Sequence, residues 1–148
     1  MSSNNSFFSG CISISGVKVS SMPGKMRKVL VVDDERLVAD TLSLIFRKRG
    51  YDSRAAYSGA DAVECAREFG PELLLCDMSM PGMDGLEVVN AIAGEHPACR
   101  VLMLTGHYSN VKKMLDHSHS LLNPMGVITK PIQPEDLLEQ AGQMLSLA

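Results

Sequence analysis

Five short apolar runs punctuate this chain, and between them the apolar pattern changes period. The runs are KVLVVD at 28–33, YDSRAAY at 51–57, ELLLCD at 72–77, RVLMLT at 100–105 and GVITK at 126–130. Each is short enough for a strand and is bounded by turn residues. The intervening stretches carry apolar residues at helical spacing. Residues 35–49 place Leu37, Val38, Thr41, Leu42 and Ile45 on one predicted face, and Gly50 ends the helix. A second helix starts with Ser58 and Asp61 in capping-box positions and closes at Gly70. Asp84 and Glu87 cap a third over 85–94, and a fourth is predicted over 108–120. The last begins at Pro134 and presents Leu137, Leu138, Ala141 and Leu145. Strands that alternate with helices join in parallel, because a helical crossover returns the chain to the same end of the sheet. Continuously apolar central strands imply helices on both faces. The expected fold is therefore α/β, a doubly wound five-stranded parallel sheet. In such folds ligands bind beyond the carboxyl ends of the strands.

The last residue of each run supplies the chemistry. The first run ends in Asp33 and is followed by Asp34, the third ends in Asp77, the fourth in Thr105 and the fifth in Lys130. Parallel strands collect all of these at one edge. Three carboxylates in one pocket repel unless a hard cation joins them, and Mg2+ prefers such oxygen ligands. Asp34 and Asp77 are expected as direct ligands, Asp33 through water, and the backbone carbonyl of Ser79 as a further ligand. An Asp carboxylate can also act as a nucleophile towards phosphorus. A phosphoryl group on Asp77 would then need positive charge and a donor beside it, which Lys130 and Thr105 supply. Taken singly, each residue has a plainer reading. Asp33 and Asp34 would cap the first helix, Asp77 would be a turn residue, and Lys130 would be a solvated strand end.

The ordered pattern VLVVDDE, LLLCDMSMPGMDG, VLMLTG and VITKP resembles the receiver domain of two-component response regulators over about residues 27–147. The resemblance implies a flavodoxin-like (βα)5 fold with strand order 2-1-3-4-5. It implies that Asp77 is the phosphoacceptor, Asp33 and Asp34 the metal pair, Thr105 the switch hydroxyl and Lys130 the phosphate-pairing lysine. The cofactor would be Mg2+, and the donor a histidine kinase or a histidine phosphotransfer protein. The output partner is left unnamed. The chain departs from the family at Val127, where an aromatic switch residue is usual, and in the 25-residue spacing from Thr105 to Lys130. Ser79 and His107, two residues beyond Asp77 and Thr105, are candidates for tuning hydrolysis of the phosphoryl group. A haloacid-dehalogenase-like phosphohydrolase would need an Asp at position 79, where this chain has Ser. A binding module that has dropped the phosphate would not need all five residues.

Composition narrows the setting. The first 27 residues carry Lys18, Lys25 and Arg27 and no acid, which leaves 11 basic and 17 acidic side chains in the rest. An acidic body disfavours nucleic-acid binding by this domain. No apolar run has membrane-spanning length, and the N-terminus does not read as a secretory signal. The cysteines, at 11, 65, 76 and 99, lack metal-site spacing and read as reduced thiols, so the expected location is the cytoplasm. The His107, His117 and His119 group reads as no metal site. Residues 1–26 are expected to be a flexible extension and 27–148 a stand-alone receiver unit.

Overall fold

The computed structural model describes residues 26–80, 82–106 and 125–146. Five strands, β1 (Lys28–Val32), β2 (Asp52–Ala56), β3 (Leu73–Asp77), β4 (Arg100–Thr105) and β5 (Met125–Thr129), form one sheet. All pairs are parallel, and the order is β2-β1-β3-β4-β5. This is the expected flavodoxin-like topology. The described helices are α1 (Arg36–Lys48), α2 (Gly59–Phe69), α3 (Gly85–Glu95) and α4 (Pro134–Ser146). The helix predicted over 108–120 lies outside the described residues, as do His107, His117, His119 and the extension up to residue 25. Among the described residues no helix is long and apolar enough to cross a membrane.

Period-two alternation sends neighbouring strand residues to opposite faces. Val29, Val31, Leu73, Leu75, Leu102 and Leu104 join Ala39, Leu42, Phe46, Leu137, Ala141 and Leu145 in one buried layer under α1 and α4. Leu30, Val32, Leu74, Cys76, Val101 and Met103 join Ala62, Ala66, Phe69, Val88 and Ile92 in the other, under α2 and α3. Burying a Leu, Val or Phe side chain stabilises by about 1.5–3 kcal/mol, so these two layers supply most of the drive to fold.

The helix α1 corrects the expected apolar face. Leu37 is 80% exposed and Thr41 is exposed, while Ala39, Leu42, Ser43 and Phe46 are buried. Small residues at 39 and 43 let the helix lie close to the sheet. The Ser43 hydroxyl donates to Ser53 Oγ of the edge strand at 2.9 Å, so a polar position is turned inward. At α2 the capping is simpler than expected. Ser58 Oγ accepts from the Asp61 N–H at 3.1 Å, and no reciprocal side-chain bond accompanies it. Asp84 and Glu87 do form the reciprocal box at the start of α3.

The lower end of the sheet is locked by one carboxylate. Glu72 accepts from the Lys28 N–H at 2.9 Å and from Arg27 Nε at 3.0 Å, while Arg27 also reaches the Leu145 carbonyl at 3.3 Å. These contacts tie β1, the entry to β3 and the end of α4 together, opposite the acidic end.

Candidate acidic phosphoryl site

The parallel sheet brings the carboxyl ends of β1, β3, β4 and β5 to one edge. There Asp33 follows β1, Asp77 closes β3, Thr105 closes β4 and Lys130 follows β5. Asp33, Asp34 and Asp77 each present a carboxylate oxygen within 4.8 Å of the others. Asp33 is fully buried, Asp77 and Thr105 are buried, and Asp34 is exposed. Backbone bonds hold the strand ends in register: Asp33 N–H donates to the Ala56 carbonyl, Met78 N–H to that of Leu104, and Lys130 N–H to that of Thr105.

The plain helix-cap reading of the acidic pair does not hold. The N-cap of α1 is Glu35, and no side chain caps that helix. Asp33 Oδ1 instead accepts from the Glu35 N–H at 3.0 Å, a local turn that fixes its carboxylate. The other oxygen, Oδ2, is buried and has no hydrogen-bond partner. Burial pushes the Asp33 carboxyl above the usual carboxylate range, and the neighbouring charges of Asp77 and Asp34 push the same way. The Glu35 N–H and Lys130 oppose them. A buried carboxylate oxygen with no hydrogen-bond partner, beside two more carboxylates, is what a hard divalent cation would satisfy, so the residues fit Mg2+.

Lys130 answers the acids from the far side of β3. Its Nζ donates to Asp77 Oδ1 at 3.2 Å and lies 3.9 Å from Asp33 Oδ2. The loop after Asp77 is closed tightly by the Gly85 N–H, which donates to the Met78 carbonyl at 2.9 Å. A β-carbon at Gly85 would stand 2.6 Å from the Asp77 carbonyl oxygen, so only glycine lets α3 begin directly behind Asp77. Ser79 is exposed in that loop. Val127 is half-buried against the layer under α2 and α3. Cys76 faces that same layer, away from the pocket, and burial holds its thiol neutral.

Sequence reading missed the neighbours of α1. The Tyr57 hydroxyl donates to Asp40, and Arg36 lies over the Tyr57 ring at 4.3 Å. The hydrogen bond to Asp40 is the main cause of a raised Tyr57 pKa. These contacts pin the turn after β2 to the first turns of α1, beside the acidic pair. No periodicity announces a contact of this kind. The dipeptide Asp84-Gly85, a helix cap followed by the smallest residue, was the available signal for the close approach at α3.

The family model of the response regulator receiver domain matches residues 29–141. Among solved structures, the chemotaxis protein CheY4 of Vibrio cholerae shares 30% identity, covering 80% of this chain and 98% of that one, with a TM-score of 0.72. The receiver domain of NtrX from Brucella abortus shares 27%, covering 81% and 99%, with a TM-score of 0.72. A CheY-like receiver domain protein from Methanospirillum hungatei JF-1 shares 25%, covering 82% and 95%, with a TM-score of 0.73. Matched over most of its length and built on the same sheet, this chain belongs to the response regulator receiver domain family of two-component systems.

Proposed function

We propose that Asp77 accepts a phosphoryl group from a phosphohistidine, carried by a histidine kinase or a histidine phosphotransfer protein. The observation that carries this reading is the convergence of three carboxylates within 4.8 Å with the Lys130 ammonium 3.2 Å from Asp77 Oδ1. Asp33, Asp34 and Asp77, with the Ser79 backbone carbonyl, would hold Mg2+. When bound, that ion supplies the positive charge that lets an anionic phosphoryl group enter an acidic pocket. The protein's own groups do the remainder. Asp77 is positioned by the Gly85 close approach, and one of its oxygens attacks phosphorus as the bond to the donor nitrogen breaks. Lys130 offers a charge-assisted donor to the new phosphoryl oxygens, and Thr105 offers a hydroxyl. Both groups sit at the ends of β4 and β5, so their response to the phosphoryl group is passed to those strands and changes affinity for an output protein. Val127 leaves that response without an aromatic rotamer. Ser79 and His107 would set water access to the phosphoryl group and hence its lifetime.

The reading places the functional unit at 27–148, in the cytoplasm, with residues 1–26 as an extension and no nucleic acid as partner. Incubation with Mg2+ and acetyl phosphate, followed by intact mass, tests it. Wild type should gain one phosphoryl group and Asp77→Asn none. A gain in both proteins, or in neither, removes the proposal.

A further inference from the structure

The loop that follows Asp77 is rich in sulfur. Met78, Met80 and Met83 lie within six residues of Asp77, and Met103 lies on β4 beneath them. Met78, Met80 and Met103 are buried, at 4%, 9% and 0% exposure, whereas Met83 is only partly buried. The sulfur of Met83 is seated on the first residue of α2. A β-carbon built on Gly59 would stand 2.8 Å from Met83 Sδ and 2.9 Å from Val88 Cγ2. The missing side chain at Gly59 is thus the seat, and Val88 of α3 is its side wall.

A short path of contacts leads from that seat to the candidate site. Met83 immediately precedes Asp84, whose carboxylate accepts from the Glu87 N–H and so fixes the start of α3. The next residue, Gly85, lies against the Asp77 carbonyl and donates to that of Met78. A thioether suits the seat because it is apolar, slim and polarisable. A sulfoxide does not. It adds a polar oxygen to a sulfur that sits beside Gly59 and Val88, and its dipole seeks water or a donor.

We propose that Met83 is an oxidation-sensitive latch on the loop behind Asp77, with hydroperoxides as the oxidant. A lone pair on Sδ attacks one peroxide oxygen, and the S–O bond forms as the O–O bond breaks. The hydroxide, or the alkoxide from an organic hydroperoxide, takes the proton from the transferred oxygen and departs as water or as the alcohol. Sulfur loses two electrons and the peroxide gains them. The oxidised side chain leaves Gly59, Asp84 and Gly85 shift with it, and Asp77 moves out of line with Asp33 and Asp34. The consequence for Mg2+ rests on the metal site proposed above, whereas the order of oxidation and its effect on stability do not.

The test treats the native full chain with hydrogen peroxide over a time course. Peptide mass mapping follows the methionines, calorimetric titration follows Mg2+, and thermal melting follows the fold. Met83 should gain one oxygen before Met78, Met80 and Met103. The Mg2+ dissociation constant should then rise at least threefold and Tm should fall, and methionine sulfoxide reductase should reverse both. Met83→Leu, which keeps the apolar volume, should remain insensitive to the same treatment. Oxidation of Met83 no earlier than the three buried methionines overturns the latch, as does an oxidised chain with unchanged Tm and Mg2+ affinity. A Met83→Leu chain as sensitive as wild type also overturns it. Should Leu fit the seat poorly, reversal by the reductase on wild type decides alone. A chain that never binds Mg2+ refutes the metal reading, and the Tm series then decides the latch.

Discussion

Replacing Asp33 by Asn should make the protein more stable while removing its response to Mg2+. The side chain is fully buried, and its Oδ2 has no hydrogen-bond partner. Three charges act on it at close range. The Lys130 ammonium, 3.9 Å away, attracts it by about 4 kcal/mol at an effective dielectric constant of about 20. The Asp77 and Asp34 carboxylates, each within 4.8 Å, repel it, by about 3.5 kcal/mol for buried Asp77 on the same scale and by less for exposed Asp34. The attraction thus does not outweigh the repulsion, and what remains is at least the cost of a buried, half-satisfied charge, about 1–3 kcal/mol. Asn keeps the shape and the acceptor that the Glu35 N–H uses. It removes the charge and adds donors facing Asp77. The expected gain is about 1–2 kcal/mol, or roughly 4–8 °C in Tm for a domain of this size. The direction agrees with the raised pKa of Asp33. Its proton is held more tightly in the folded state, so this stabilising contribution is present below the unfolded carboxyl pKa and is lost as pH rises through the folded one. Wild type has another route to relief at neutral pH. Mg2+ at a hundred times its dissociation constant should add about 2.7 kcal/mol. Urea melts at pH 7, with Mg2+ and with EDTA, measure both quantities. A metal-free Asp33→Asn chain less stable than wild type would refute the electrostatic reasoning. So would an Asn variant that Mg2+ stabilises as much as wild type.

Other outcomes follow from single contacts. Gly85→Ala places a carbon 2.6 Å from the Asp77 carbonyl, so it should cost about 1–3 kcal/mol in a denaturant melt and weaken Mg2+ binding. Ser43→Ala strands the buried Ser53 hydroxyl and should cost about 1–3 kcal/mol, while the double change Ser43→Ala with Ser53→Ala should cost less than the two single changes added. Burial raises the thiol pKa values of Cys65 and Cys76 and pushes Cys99 up to about 12. Iodoacetamide at pH 8 should therefore label half-buried Cys65 slowly and leave Cys76 and Cys99 untouched until the protein unfolds, as read by mass mapping.

Much of this architecture is written in local patterns. The runs ending in Asp33, Asp77 and Thr105 announce strands because a sheet covered on both faces demands continuous apolar residues, and parallel pairing then gathers their ends. The candidate five-residue cluster is legible for the same reason: its members stand at fixed places relative to those runs. The face of α1 was not legible. Leu37 has the hydropathy of a core residue, yet it sits in the first turn, where the helix has just left the sheet edge. Ser43 has that of a surface residue, yet Ser53 satisfies its hydroxyl inside. A hydropathy pattern cannot encode a partner supplied by another element. The Glu72 lock and the Met83 seat on Gly59 share that character, because each joins residues distant in sequence through side chains that look ordinary alone.

The two buried layers have a consequence for how such a chain can diverge. They lie on opposite faces of one sheet and draw on alternate residues of the same strands. A substitution under α2 and α3 therefore repacks its own layer and is shielded by a full thickness of backbone from the layer under α1 and α4. The strand-end residues that line the pocket stand at the rim of this partition. One face can thus accept substitutions while the packing of the other is kept. Val127 belongs to the α2 and α3 side of that partition.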